Sequence, residues 1–391
     1  MGNKQQIKIA QQKTYYDDMQ EFLNSSLKSH THLHINLEHH KFDNKNKFNC
    51  KKFKCESSSM PTLTYALSQC SNLINFRIDL RETDIGIQEV EYIKSFIGNF
   101  KNISELQLNF EYNQICDKSV QILSNAMLNF DKLTFLQLEY SGNLISDQGI
   151  TSLASMLSKL QKLRTLNLCL GRNQVSDEGA CILSKQLSKL TELTTLEYYL
   201  WANKISDKGA CAIGQGLSEC KNLLDLKLSL SRNQISDEGA SCIGKGISKC
   251  SNIEKLLIYL WQIIIYQLFP YLNIYNQRQN NIGDLGIQDI REGLSCLKNL
   301  LYLDISIMFN QFSDQGEQSI SKTFPKLEKL IQLELYLSKN EAFLKSDEII
   351  NCKNIKVLTL DVTTCSHEQK IFHQRKAFKI KRLVKLNMIF F

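Results

Sequence analysis

The sequence predicts an α/β solenoid: a horseshoe of stacked strand–helix units, with parallel strands on the concave face and helices on the convex face. Three observations predict it. The first is a recurrence of 30 residues. Asp117, Asp147, Asp177, Asp207 and Asp237 keep that spacing, as do Asn113, Asn143, Asn173, Asn203 and Asn233. The second is a change of hydrophobic period inside each unit, from two to 3.6. The third is composition. The 391 residues are 43% hydrophobic, with 3 Pro and 17 Gly, which provides a core and excludes collagen-like, disordered and proline-rich linker architectures. At roughly 150 residues per domain the length suggests two or three domains, but a repeat array needs no such division.

One unit shows how the period works. Leu166, Leu168 and Leu170 alternate with Thr165, Asn167 and Cys169, which reads as a strand with one buried face. Asn173 and Val175 open a turn. Ser176-Asp177-Glu178 then reads as a helix start, where a Ser or Asp oxygen accepts from free N–H groups and acidic side chains suit the positive helix end. Ile182, Leu183, Gln186, Leu187 and Leu190 follow at helical spacing and form an inward stripe. A single unit cannot bury that stripe, so units stack. The same place in every unit marks Asn143, Asn173, Asn203 and Asn233 as structural, and likewise Asp147, Asp177, Asp207 and Asp237. Helix capping is the repeated task expected of the aspartates.

The pattern Leu163-x-x-Leu166-x-Leu168, followed by Asn173 and a helix led by Gly179, resembles the leucine-rich repeat. It is most similar to the long, helix-bearing subtype of ribonuclease inhibitor and the Ran GTPase-activating protein. The likeness covers residues 70–390 and is strongest over 103–325. In the family the Asn usually stands eight residues after the first Leu, whereas Asn173 follows Leu163 by ten. The resemblance implies a buried asparagine ladder, an interaction role, and kinship with protist arrays, some of them fused to kinase domains.

About eight to ten units are expected. Residues 1–60 read as an N-terminal capping segment with a Lys/Asn-rich loop, 61–329 as the array, and 330–391 as divergent C-terminal repeats. The period breaks once, with 47 residues from Asp237 to Asp284. Removing residues 263–279 restores register, so this insertion is either a projecting loop or an intron read as coding. The final segment is strand-like without a polar cap, read as a shortened last strand or the end of a fragment.

Strand parity assigns the faces. Leu106, Leu108, Phe110, Leu136, Leu138, Tyr140, Leu196, Tyr198, Leu200, Leu226, Leu228, Leu230, Leu303, Ile305 and Ile307 point into the core. The alternate positions face the concave surface, where Glu105, Glu111, Glu139, Glu197, Asp225, Asp304 and Glu334 are opposed only by Lys227 and Lys255. Among them stand Phe135, Tyr199, Trp201, Tyr259, Trp261, Tyr302 and Tyr336. Aromatic residues ringed by charge are the usual make-up of binding hot spots. Glu139, Glu197, Tyr199, Trp201, Asp225, Tyr259, Trp261, Tyr302 and Asp304 are therefore the candidate partner-binding residues, for a protein or peptide of basic or mixed charge.

Chemistry is harder to find. No G-x-S-x-G, H-R-D, D-F-G or A-P-E is present. Gly214-Gln-Gly216 and Gly244-Lys-Gly246 complete no phosphate loop and read as small residues for close helix packing. His30, His32 and His34 alternate near Cys50 and Cys55, but the spacing matches no zinc pattern, so a polar cap strand is expected and no metal or cofactor. A net charge of +7 over this length gives no argument for nucleic acid, and the Lys-rich run around residues 41–54 reads as solvated loop. The apolar window over residues 256–275 contains Gln262, Gln267, Pro270 and Asn273, so no membrane span is expected. The polar start argues against a secretory signal. Thirteen Cys are then expected as reduced thiols in a cytoplasmic or nuclear protein, with Cys220 and Cys250 either a disulfide or, preferred, two core thiols. The leading reading is a non-enzymatic interaction scaffold. The alternatives are a regulator of a small GTPase, by fold analogy alone, and a regulatory region related to kinase-fused arrays.

Overall fold

The computed structural model describes residues 13–38, 60–261, 280–337, 346–361 and 366–389. Within these the chain folds as a leucine-rich-repeat solenoid built on one parallel sheet of thirteen strands, paired in chain order. The strands are β1 (Tyr15–Tyr16), β2 (His32–Asn36), β3 (Asn75–Asp79), β4 (Glu105–Asn109), β5 (Phe135–Glu139), β6 (Thr165–Cys169), β7 (Thr195–Tyr199), β8 (Asp225–Ser229), β9 (Lys255–Tyr259), β10 (Tyr302–Ser306), β11 (Gln332–Tyr336), β12 (Val357–Asp361) and β13 (Lys385–Ile389). The helices are α1 (Met19–Leu23), α2 (Met60–Gln69), α3 (Ile87–Ile97), α4 (Asp117–Ala126), α5 (Asp147–Leu157), α6 (Asp177–Leu187), α7 (Asp207–Glu219), α8 (Asp237–Ser248), α9 (Asp284–Ser295), α10 (Asp314–Ser321) and α11 (His367–Ala377). Strand–helix alternation thus runs beyond the eight to ten units that repeat recognisably in sequence.

Register turns the leucines into columns. Leu106, Leu136, Leu166, Leu196, Leu226, Leu256, Leu303 and Leu333 stand opposite one another through the stack. All fifteen residues assigned to the core by parity are buried. On the helical side of the same unit Leu183, Leu187 and Leu190 are buried, while Ile182 is half-exposed because it sits at the margin of the stripe.

Each ladder asparagine ties three places together. The Asn173 amide donates to Tyr140 O of the preceding unit at 2.9 Å and to Leu170 O of its own at 3.1 Å. Its Oδ1 accepts from the Ile145 N–H at 3.0 Å. Asn143, Asn203, Asn233 and Asn280 repeat this bonding. The two extra residues before the Asn therefore leave the ladder intact. They are absorbed in a turn whose last residue is left-handed: φ is 53° at Arg172, 54° at Ala202 and 57° at Arg232.

The periodic aspartates cap, but across the stack. Each opens its own helix and reaches the next. Asp177 Oδ1 accepts from the N–H of Ser206 at 2.7 Å and of Gly209 at 2.9 Å, and Oδ2 accepts from Ser206 Oγ at 2.6 Å. Asp147 bonds Ser176, Asp207 bonds Ser236 and Gly239, and Asp237 bonds Gly283 and Gly286 in the same way. This explains the repeated glycine. A Cβ at Gly209 would lie 2.5 Å from Asp177 Oδ1. Residues 262–279 lie outside the described residues, but the chain on both sides is in register. Asn280 joins the ladder, and β9 pairs directly with β10.

The glycine pairs of α7 and α8 serve close helix packing, as expected. A Cβ at Gly246 would stand 2.2 Å from Gly214 O, and one at Gly214 2.3 Å from Cys242 O. The expectation of reduced thiols needs correction. Cys211 of α7 and Cys242 of α8 form a disulfide. Cys220 and Cys250 stay free and buried, with burial pushing their thiols up to about 11 and about 12. The bridged pair lies on the helical face, where α7 and α8 approach closely. Matching positions before the strands do not pair, because there each thiol turns into the core. Among the described residues no helix is long and apolar enough to cross a membrane.

Candidate functional site

The concave sheet face is built by the first, third and fifth residues of each five-residue strand and by the second residue past its end. Glu139, Glu197, Tyr199, Trp201, Asp225, Tyr259, Trp261 and Tyr302 all stand there half-buried, so strand parity placed them correctly. Asp304 differs. It occupies the expected strand position but is only 6% exposed. Tyr259 closes over it, and the Tyr259 Oη donates to Asp304 Oδ2 at 2.6 Å. Burial, opposed by that hydrogen bond and reinforced by Glu334, raises the Asp304 carboxyl to about 6.

The acidic strip is largely partnered, and the two lysines expected to oppose it do pair with it. Lys227 pairs with Glu197 at 2.5 Å, and Lys255 with Asp225 at 3.6 Å. Tyr302 and Tyr336 donate to the two oxygens of Glu334 at 3.1 and 3.3 Å. Arg81, at the exit of β3, lies 3.4 Å from Glu111 and 3.8 Å from Asp79. Cross-strand pairs one repeat apart explain this, since residues at equal register face each other at strand spacing.

The aromatic part of the prediction converges on one place. Past the strand ends the ladder of backbone bonds continues: Ala202 N donates to Ser231 O at 2.8 Å, and Arg232 N to Trp261 O at 3.2 Å. Trp201, Ser231 and Trp261 therefore stand side by side. The Trp201 ring lies over Gly171, where a Cβ would come within 2.1 Å of its Nε1. Leaning back in this way, Trp201 uncovers the small residues at and just past the end of β8. The result is a pocket of about 490 Å³ floored by Ser229 and Ser231 and walled by Trp201, Tyr259 and Trp261. Asp304, Ser306 and Tyr336 close its far side, and Arg232 lies at its edge. Of the nine candidate residues, Trp201, Tyr259, Trp261 and Asp304 meet here. The other five flank it along the strands.

Parity reasoning missed Ser229, Ser231, Ser306 and Arg232. The serines had a signal. They are small residues in columns otherwise filled by Tyr199, Tyr259, Trp201 and Trp261. Arg232 had none, because its left-handed turn position is set by the backbone. Burial, then the charge of Arg172, lowers its pKa.

Two other clusters bring reactive side chains together. Glu111, Glu139 and Cys169 converge within 4.8 Å, a possible ligand set. Burial pushes the Cys169 thiol up, away from the thiolate a metal needs, and its Sγ meets Ser141 Oγ at 2.9 Å. Ser25 Oγ lies 2.8 Å from His30 Nε2. The hydroxyl donates its proton to Phe22 O at 2.6 Å, so the histidine ring acts as donor to Oγ and is no base for it. His32 and His34 share a face of β2, whereas His30 turns into the core beside Tyr16. Cys50, Cys55 and the Lys-rich run lie outside the described residues.

No protein-family model matches the chain. No curated protein matches it either. Among solved structures the chain is similar to leiomodin-1 actin-binding site 2, with 16% identity and a TM-score of 0.30 over 42% of this chain and 92% of that one. It is also similar to a chain of the Rad7–Elc1 complex of yeast, with 12% identity and a TM-score of 0.39 over 85% of this chain and 76% of that one. At these scores the likeness is remote, and the fold class stands on the thirteen-strand sheet and the asparagine ladder themselves.

Proposed function

We propose that the protein is a non-enzymatic interaction scaffold that binds a protein or peptide of mixed charge on its concave sheet face. One observation carries this reading. Both tryptophans of the chain stand half-buried around a single pocket on that face, together with Tyr259 and Tyr336 and with ion pairs nearby on the same face. Large rings left partly open to water, in a ring of polar groups, are what binding hot spots are made of. A cross-strand packing role would instead bring the rings into contact with each other, and Ser231, just past β8, stands between Trp201 and Trp261.

The test is affinity capture with the wild-type chain and a Trp201→Ala/Trp261→Ala variant, followed by mass spectrometry and a measured affinity for the main partner. The reading expects loss of that partner in the variant. Unchanged affinity sinks it.

We assign the repeats to the helix-bearing subtype of ribonuclease inhibitor and the Ran GTPase-activating protein. The 30-residue period and the full α-helix in each central unit support this. Regulation of a small GTPase, or of a kinase region, rests on fold analogy alone. No observation here favours either over binding.

A further inference from the structure

Two residues lining the pocket over β8 each carry a buried polar atom without a partner among the described residues. Asp304 Oδ1 is one and Ser231 Oγ the other, in residues that are 6% and 1% exposed. An ionised or partly ionised carboxylate buried with a free oxygen is costly, and a ligand donor removes that cost. Its second oxygen is already held by Tyr259 Oη at 2.6 Å, so the carboxyl is fixed in direction. Glu334, one strand further on, adds negative charge to the same corner. The surrounding walls are flat rings: Trp201, Trp261, Tyr259 and Tyr336. Ring faces attract cations, and a planar guanidinium also stacks on them, which an ammonium cannot do.

On this basis, and resting on the reading of the strand face as a protein-binding surface, we infer that the pocket receives one arginine side chain of a partner protein. Its guanidinium donates to Asp304 Oδ1 and lies against the indole rings. The space suits it. A volume of about 490 Å³ exceeds what an ammonium head fills and leaves room for the three-carbon stem along the rings. Arg232 restricts the choice further. It is half-buried at the pocket edge and carries positive charge. A run of several cations is repelled there, so the pocket selects a single arginine rather than a basic tract. An acidic residue beside that arginine in the partner would meet Arg232.

The experiment uses the full chain and its own reporter. Because the only two Trp residues both line the pocket, intrinsic fluorescence reads occupancy directly. N-acetyl-arginine amide is titrated against N-acetyl-citrulline amide, which has nearly the same shape without the charge, and against N-acetyl-lysine amide. The inference expects a saturable change with the arginine probe and binding weaker by about tenfold or more with the other two. It expects a similar loss for arginine with Asp304→Asn, which keeps an oxygen for Tyr259 Oη. Equal binding of citrulline or lysine, an Asp304→Asn protein that binds as wild type, or no saturable response overturns it. The two readings separate by partner capture. Capture kept by Asp304→Asn but lost in the double tryptophan variant refutes the arginine pocket and leaves the interaction face standing. Capture kept by both refutes the face.

Discussion

Asn173 has no ionisable or reactive group, yet it joins two units and satisfies three backbone groups that would otherwise be buried without partners. Asn173→Ala leaves those groups unpaired, and the expected cost is about 2–4 kcal/mol in a denaturant titration. Asp304 presents the opposite case, a buried residue with one oxygen left without a partner among the described residues. Its carboxyl is raised from 3.8 to about 6. The folded state therefore binds this proton more tightly than the unfolded chain. The group leaves stability untouched below its unfolded pKa, and costs stability as pH rises from about 4 through about 6. Tyr259, Tyr302, Tyr336, Glu334 and Arg232 surround it and remain in an Asp304→Asn variant. That variant is expected to melt higher than wild type at about pH 7.5, with the gain shrinking toward about pH 4. A gain independent of pH would contradict this. The ladder role of Asn173 was legible, because its place in the period is fixed and the family resemblance implies it. The condition of Asp304 was not. Strand parity says which face a side chain takes, but not that Tyr259, 45 residues earlier, folds over it.

Strands and helices follow from two rules of unequal reach. Strand parity is local, and every core assignment made from it is buried. Leu196→Ala is expected to cost about 2–5 kcal/mol, because the leucine column has neighbours on both sides. Glu197→Ala, on the opposite face, is expected to cost about 1 kcal/mol or less. It loses the pair with Lys227 and a bond from Tyr199, both partly in water. A reversal of these two in urea melts would invert the faces. Helix starts were legible from Ser-Asp-Glu, yet the direction of the aspartate was not. The side chain reads as a local cap in sequence and acts on the following unit in space, because the serine before it already holds the local cap: Ser176 Oγ accepts from the Glu178 N–H at 3.3 Å, and Asp177 is left to reach Ser206 and Gly209. Gly179 follows from that reach. A helical Gly→Ala change ordinarily stabilises, but here the added Cβ would lie 2.3 Å from Asp147 Oδ1. Gly179→Ala is expected to destabilise by about 1–3 kcal/mol, measured by thermal melting followed by circular dichroism.

The whole molecule is a stack in which each unit touches its neighbours, and its sheet passes without a break beneath the site of the insertion. That continuity was readable once the period was seen, since residues 263–279 can be removed without loss of register. What the period could not supply is any feature that depends on the difference between neighbouring units. The Cys211–Cys242 bridge is one such feature. The pocket is another, because it forms where Ser229 at the end of β8 and Ser231 just past it stand between the large rings at and past the ends of β7 and β9. Function in this account lies in such departures from the repeat, and the departures collect around Trp201 and Trp261. Acrylamide quenching of tryptophan fluorescence, on the free chain and again after adding the captured partner, tests this most directly. The account predicts indoles open to quencher in the free protein and shielded in the complex. Indoles as protected in the free chain as core residues, or equally quenched in both states, would contradict it.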